Sequence, residues 1–444
     1  FARIALGTND IDFRARVTSD EERDFLAAHV AGSSTTYRDI DSADQVALVA
    51  FEPEEESPIV FLRLNKNFKK RGLKVSAVAT KGSIAMDKLK ADFIKVAPGA
   101  EASAVAGLAL TAKSVILVGE RASESAGLFS AVAALSAKTG AKIAYIPRRA
   151  GERGALEAGA LGTILPGGRP VTDAAARVDI AAAWGVDSLP ATPGRTSTQI
   201  IDALAAGDLD AVVVGGVDAH DLPHSRAALD ALKKSFVVSL EIAPSSVTAV
   251  ADVVLPVAAI TEKSGSFLNW EGRARAFDSA VADSHHRSDV RILSMLADAM
   301  GNPISLGTVT AAAREFNQLG KWDGARVALN SVAPTPAASV SGNDAILTSW
   351  RRLLDMGTLQ KGEDNLAGTR RPTVAVVSPK RAAAMGVNGG EQVRVSNAHG
   401  SITIPVLVED IHDDAVWIPR NSFASQALVA LDAVHGEVVT VVKA

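Results

Sequence analysis

The chain contains no cysteine, which excludes disulfides, thiolate-bound metals, iron–sulfur ligation and cysteine nucleophiles from its 444 residues. Any redox centre has to be held elsewhere. A long hydrophobic run is also missing: the most apolar stretch, residues 102–118, is interrupted by Lys113 and is rich in alanine and serine, so it fails as a membrane span. Neither sign of charge dominates, since 46 Lys and Arg stand against 50 Asp and Glu in an interspersed order. No face is therefore expected to attract a phosphate backbone, and nucleic acid is not an expected partner. The first residue is Phe1, without an initiator methionine, a basic leader or an apolar leader core, so the chain is expected to be an internal portion of a longer polypeptide. There is no Walker motif and no GxGxxG.

What is present is globular. Apolar residues make up 47% and charged residues 22%, enough for packed cores throughout, and the length suggests two to four compact units. Residues 45–51 (QVALVAF) are apolar at successive positions, as a parallel strand covered on both faces would be. An acidic turn with Glu54, Glu55 and Glu56, a helical stretch over 58–70 and a second apolar run at 74–78 complete a βαβ unit. The acids sit where a helix dipole favours them. The plan repeats at 114–118, 123–138 and 142–146, and again at 211–214, 225–234 and 236–240, with a short strand at 252–255. Doubly wound, mostly parallel α/β sheets are implied. The Gly-rich stretch 151–170, containing LPGGRP, is expected to be a surface loop. Beyond residue 372 short strands at 373–377, 392–396, 401–408, 415–418 and 437–442, with one helix at 379–385, predict a small β-barrel. The expected division is a first α/β domain at 1–150, a second at 151–330, a Pro, Ala and Ser-rich linker with a connecting helix at 331–371, and the barrel at 372–444.

Motifs with independent chemical force are few. Gly215–Gly216 after a strand serves a tight turn more readily than a dinucleotide. His220 and His224 have the i, i+4 spacing of helical metal ligands, but Pro223 breaks such a helix and no third ligand lies near, so a structural or solvated role is expected. His285 and His286 read as exposed loop. The segment 262–273 (EKSGSFLNWEGR) follows a strand end, where open α/β sheets bind ligands, and is a candidate ligand loop beside the plainer reading of a buried connection.

These segments together resemble the molybdopterin oxidoreductase family, and within it more closely the branch carried by complex I, NADH-quinone oxidoreductase. The resemblance rests on residues 7–16 (GTNDIDFRAR), similar to the family's GTNxxDxxAR, on residues 47–64, on EKSGSFLNWEGR beside EKxGTFxNxEGR, and on the stretch 151–170 with ERGA, EAGA and LPGGRP. The barrel resembles the family's dinucleotide-binding barrel. Departures fall where the resemblance places the cofactor. In catalytic relatives a Cys or selenocysteine that ligates molybdenum follows the AR-V stretch; here Thr18 and Ser19 stand there, and a hydroxyl is a poorer ligand than a thiolate for such a metal. The loop that reads GxNPxxxHP in relatives is FEPEEESP, in which Glu52 and three further carboxylates replace an amide and an imidazole and are expected to repel a pyrophosphate. DPR is replaced by Ala79, Thr80 and Lys81, and GxNP by GGVD ending in Asp218.

The resemblance thus implies vestigial cofactor positions at Thr18, Ser19, Glu52, Ala79, Asp218 and Asn269, with no catalytic residue, no metal ligand and no cofactor in this segment. It implies that [2Fe-2S] and [4Fe-4S] clusters belong to a preceding part of the subunit, and that the partners are the other peripheral-arm subunits of complex I. Contact with the cytoplasmic face of the cell membrane is then expected only through that complex. The alternatives are a molybdopterin-dependent oxidoreductase of the formate dehydrogenase kind, with Thr18 or Ser19 as an oxygen ligand, and, on fold analogy alone, a thiamine-type or nucleotide-binding α/β protein.

Overall fold

A computed structural model describes residues 1–281, 284–304 and 306–444. They form two compact units, each assembled from separated segments: Phe1–Ser34, Arg149–Leu222 and Arg226–Leu329 in the first, and Thr35–Arg148, Pro223–Ser225 and Asn330–Ala444 in the second. In this grouping the first 34 residues go with the segment beginning at Arg149, and Asn330–Ala444 go with Thr35–Arg148.

The second unit carries the regular elements that the sequence announces. Its parallel sheet runs, in spatial order, Asp92–Lys95, Lys74–Ala79, Gln45–Val49, Val115–Gly119 and Lys142–Ile146. The order reverses beside Gln45–Val49, which pairs with Lys74–Ala79 on one side and Val115–Gly119 on the other. This is a doubly wound sheet, and its switch point lies at the carboxyl end of Gln45–Val49, where Glu52 follows. The helix Pro58–Arg71 starts on a proline, whose fixed φ suits the first helical position, and stops at Gly72 with φ +66°. Its buried Val60, Phe61, Leu64 and Asn67 recur at helical spacing and define the face that packs inward.

The barrel belongs to the same unit and is closed by six strands, Asp344–Thr348, Ala415–Trp417, Ala375–Val377, Ser401–Val408, Gln392–Ser396 and Val438–Lys443. Its first strand comes from the region expected to be linker. Asp344–Thr348 pairs parallel with Ala415–Trp417 and antiparallel with Val438–Lys443. Without it the barrel would have two open edges. The apolar interior includes Ala345, Leu347, Val377, Val393, Val395, Ile404, Val406, Val416 and Val441, all buried.

In the first unit a separate three-stranded parallel sheet has the order Val253–Pro256, Phe236–Glu241, Ala211–Gly215. One face packs Val212, Val214 and Val237 against Leu204, Leu232 and Val247. The other presents Ala211, Val213, Phe236 and Val253, of which Phe236 is 52% exposed. Strand Ala211–Gly215 is a half-exposed edge, so its continuous apolar run does not mark cover on both faces. The Gly-rich stretch also departs from expectation. It contains the helix Glu152–Glu157 and a short ladder between Ile164–Leu165 and Arg169–Pro170, and it buries Glu152, Arg153, Leu156, Ile164, Leu165 and Arg169. Its glycines serve close approaches: a Cβ at Gly159 would lie 2.5 Å from Leu165 and Pro166 backbone atoms, and one at Gly162 would lie 2.8 Å from Gly194. A surface loop has no need of such fits.

Candidate functional site

Of the six positions inferred from the resemblance, Thr18, Ser19, Asp218 and Asn269 lie in the first unit and Glu52 and Ala79 in the second.

Around Thr18 the backbone is organised by buried ions. Arg14, fully buried, makes a two-pronged contact with Asp12, Nε to Oδ1 at 2.9 Å and Nη2 to Oδ2 at 2.7 Å, and reaches Glu22 at 3.1 Å. Arg16 donates to the other oxygen of Glu22 at 2.8 Å and to Glu152 at 3.1 Å. Burial alone would push the Glu22 carboxyl up, but Arg16 and Arg14 overcome it and hold the group below its ordinary value. The Thr18 hydroxyl donates to this same carboxylate at 2.7 Å. Ser19 accepts from the Glu22 amide at 3.1 Å and caps the helix Asp20–Phe25. Both oxygens that could approach a metal are thus committed within the chain.

Asn269 sits in the turn of a hairpin, Gly265–Leu268 with Ala274–Phe277, and accepts from the Arg273 amide at 2.8 Å. The buried Arg153 holds the next residue by donating to the Trp270 carbonyl at 2.6 Å. The candidate ligand loop is therefore a hairpin pinned from inside its unit. Asp218 accepts from the His220 amide at 3.0 Å and from the Ser246 hydroxyl at 3.1 Å, closing the turn after Gly215–Gly216. His220 and His224 are substantially exposed and bring no third ligand. Among the described residues no three His, Asp or Glu side chains converge as a metal site would require.

In the second unit the acidic loop turns out differently from its expected role. Glu56 is paired with Arg121 at 2.9 Å, Glu55 with Arg371 at 2.8 Å and Glu54 with Lys88 at 2.5 Å. These three carboxylates are each paired with a cation, so the loop carries less uncompensated negative charge than its sequence alone suggests. Glu52 is buried, caps the turn Pro53–Glu56 by accepting from the Glu55 amide at 2.6 Å, and is pushed up by burial, with Glu56 and Glu55 adding to the shift. Ala79 ends its strand with no polar side chain, its carbonyl accepting from the Val96 amide at 3.1 Å. Lys81 pairs with Glu409 at 2.8 Å and lies over the rings of Trp350 and Trp417. A cavity of about 780 Å³ is lined by Glu52, Lys81, Trp350, Arg352, Arg371 and Trp417 among others. Taken unit by unit, the positions that the resemblance assigns to a molybdopterin dinucleotide offer it little: in the first unit the Thr18 hydroxyl serves Glu22, and in the second Glu54, Glu55 and Glu56 occupy Lys88, Arg371 and Arg121 while Ala79 brings no polar side chain.

One cluster carries no signal in the sequence. His435 Nε2 donates to Glu101 at 3.1 Å, its Nδ1 lies 3.0 Å from the Thr348 hydroxyl, and its backbone amide reaches Glu124, which is paired with Arg420 at 2.6 Å. Burial raises the Glu101 and Glu124 carboxyls, but the interactions of Glu101 with His435 and of Glu124 with Arg420 outweigh it and both are held low. Glu101 and Glu124 precede His435 by 334 and 311 residues, so no spacing could have shown the cluster.

Residues 9–299 match the model of the family described as Molybdopterin oxidoreductase, and residues 346–439 that of the Molydopterin dinucleotide binding domain. The chain is 48% identical over 455 aligned residues to the G subunit of NADH-quinone oxidoreductase from Mycobacterium bovis, covering 99% of this chain and 56% of that protein. To the protein of the same name in Streptomyces coelicolor it is 46% identical, covering 98% and 56%. The chain thus spans just over half the length of these relatives. Among solved structures, acetylene hydratase from Pelobacter acetylenicus is similar in fold, with a TM-score of 0.56 at 13% identity, over 96% of this chain and 81% of that one.

Proposed function

Because the chain belongs to the molybdopterin oxidoreductase family yet uses its cofactor-side groups internally, we propose that it is a non-catalytic, structural part of the G subunit of a complex I. In this reading it supports NADH to quinone electron transfer without holding a redox centre. The iron–sulfur clusters belong to the remainder of the longer subunit, and the partners are the other peripheral-arm subunits on the cytoplasmic face of the membrane. No described helix is long and apolar enough to cross a bilayer. Membrane contact through the complex agrees with that.

The observation that carries the reading is the Thr18 hydroxyl, spent on Glu22 inside a ring of buried arginines. Replacing a paired buried group is costly, and Thr18 could turn toward a metal only by leaving the Glu22 carboxylate one donor short. The test is Thr18→Val in the full-length subunit, assembled in its natural host. A structural role predicts an NADH–quinone rate per assembled complex equal to that of the parent. A loss of turnover in complexes that assemble normally would favour a molybdenum enzyme with Thr18 as ligand.

A further inference from the structure

We propose that the outer face of the helix Pro58–Arg71 docks an acidic surface of a partner protein. The helix buries Val60, Phe61, Leu64 and Asn67, which leaves positions 59, 62, 66, 69 and 70 on the opposite side. Ile59 is 58% exposed and Leu62 57% exposed, and they lead into exposed Lys66, Lys69 and Lys70, with exposed Lys74 just past the Gly72 cap. One stripe is therefore aliphatic at its start and basic at its end.

The positive charge is not answered within the chain. Arg63 is paired with Asp41, and Arg71 donates to the Ala43 and Ile40 carbonyls, but Lys66, Lys69, Lys70 and Lys74 have no hydrogen-bond or ion-pair partner among the described residues. No Asp or Glu occurs from residue 57 to residue 86. This local excess sits on a chain of formal charge −4, and the near balance of the whole-chain totals hides it. Lysines three and four apart on a helix repel one another, a cost that an acidic partner removes. Ile59 and Leu62 add an anchor that desolvates on contact, which favours a protein over the sugar–phosphate surface of a nucleic acid. Two aliphatic side chains are too little to hold a helix in a lipid interface, which takes a whole apolar face. The proposal does not depend on the complex I reading; it concerns this face in whatever assembly the chain joins.

A photo-crosslinking amino acid at position 62 of the full-length protein, irradiated in the natively isolated assembly, tests it. The expected product joins position 62 to one protein, within a segment rich in Asp and Glu. The quadruple variant Lys66→Glu, Lys69→Glu, Lys70→Glu and Lys74→Glu should then retain that protein roughly tenfold less at low salt, and reversing the partner's acids to lysine should restore it. A product with lipid or nucleic acid, the lack of any product, or full retention of the partner by the quadruple variant overturns the proposal. So does retention of the parent protein on vesicles of anionic lipid in place of the partner. Because the crosslink is read in the parent background, a misfolded quadruple variant leaves the test intact.

Discussion

At the residue scale, Arg14 has the largest predicted consequence. It is fully buried and pairs with two carboxylates, Asp12 and Glu22, so Arg14→Ala takes the buried ion-pair partner from Asp12 and leaves Glu22 with Arg16 as its remaining cation. Losing one partner of such a pair costs about 3–5 kcal/mol, and denaturant unfolding of the variant should show a loss of that order; a change within error would mean the ring is not structural. Thr18→Val removes a single hydrogen bond to a charged group and should cost about 1.5–3 kcal/mol. The pH dependence has two opposite contributions. Glu22 is held low, so its contribution is present above the unfolded carboxylate pKa and is lost as pH falls through its depressed folded value. Glu52 is raised, so its cost to stability appears as pH rises through its folded value and is absent in acid. Glu52→Gln keeps an acceptor for the Glu55 amide and should therefore raise the thermal midpoint at neutral pH, the gain vanishing below the carboxylate range. A gain that persists in acid would assign the effect to something other than ionisation. Lys81, Glu52 and Ala79 are readable from the sequence as positions, but their surroundings are not, because ion pairs such as Glu55 with Arg371 join residues far apart in the chain.

At the scale of elements, the sequence is most informative where hydrophobic periodicity and end signals agree. The strands Gln45–Val49, Lys74–Ala79, Val115–Gly119 and Lys142–Ile146, and the helix Pro58–Arg71 between its proline and Gly72, lie within a few residues of expectation. The helix Pro379–Met385 does too, because Ser378 caps its start and Gly386, with φ +64°, ends it. Three departures share a cause, which is that composition reports local preference and not tertiary surroundings. The five residues of Asp344–Thr348 follow a Pro, Ala and Ser-rich segment and are hidden by it, although Leu347 is completely buried in the barrel. The glycines of 151–170 suggest a loop, but they permit close packing of buried backbone. Ala211–Gly215 is as apolar as a central strand but lies at an edge. The first barrel strand gives a direct check: Leu347→Ala should destabilise the protein by about 2–5 kcal/mol, as for other fully buried leucines, whereas the same change at exposed Leu359 should fall within about 0.5 kcal/mol of zero. Equal effects at the two sites would remove Asp344–Thr348 from the barrel core.

At the scale of the whole molecule, the chain belongs to the molybdopterin oxidoreductase family, and the positions that the resemblance assigns to the cofactor make hydrogen bonds within the chain or, at Ala79, carry no polar side chain. Thr18 and Ser19 serve Glu22, Asp218 and Asn269 close turns, and Glu52 caps one. The substitutions are legible as departures from a motif, and their physical meaning becomes legible only with the side chains in place. The acidic loop is the clearest case, since four neighbouring carboxylates look repulsive in sequence and three are paired in the fold. Each of these uses is satisfied without a ligand, as the structural role proposed above requires. The most direct measurement is the molybdenum, tungsten and pterin content per chain of the natively isolated assembly. A purely structural role predicts values near zero in preparations that contain the other subunits of an NADH-quinone oxidoreductase. One metal with its pterins per chain would contradict it and return Thr18 and Ser19 to candidacy as ligands.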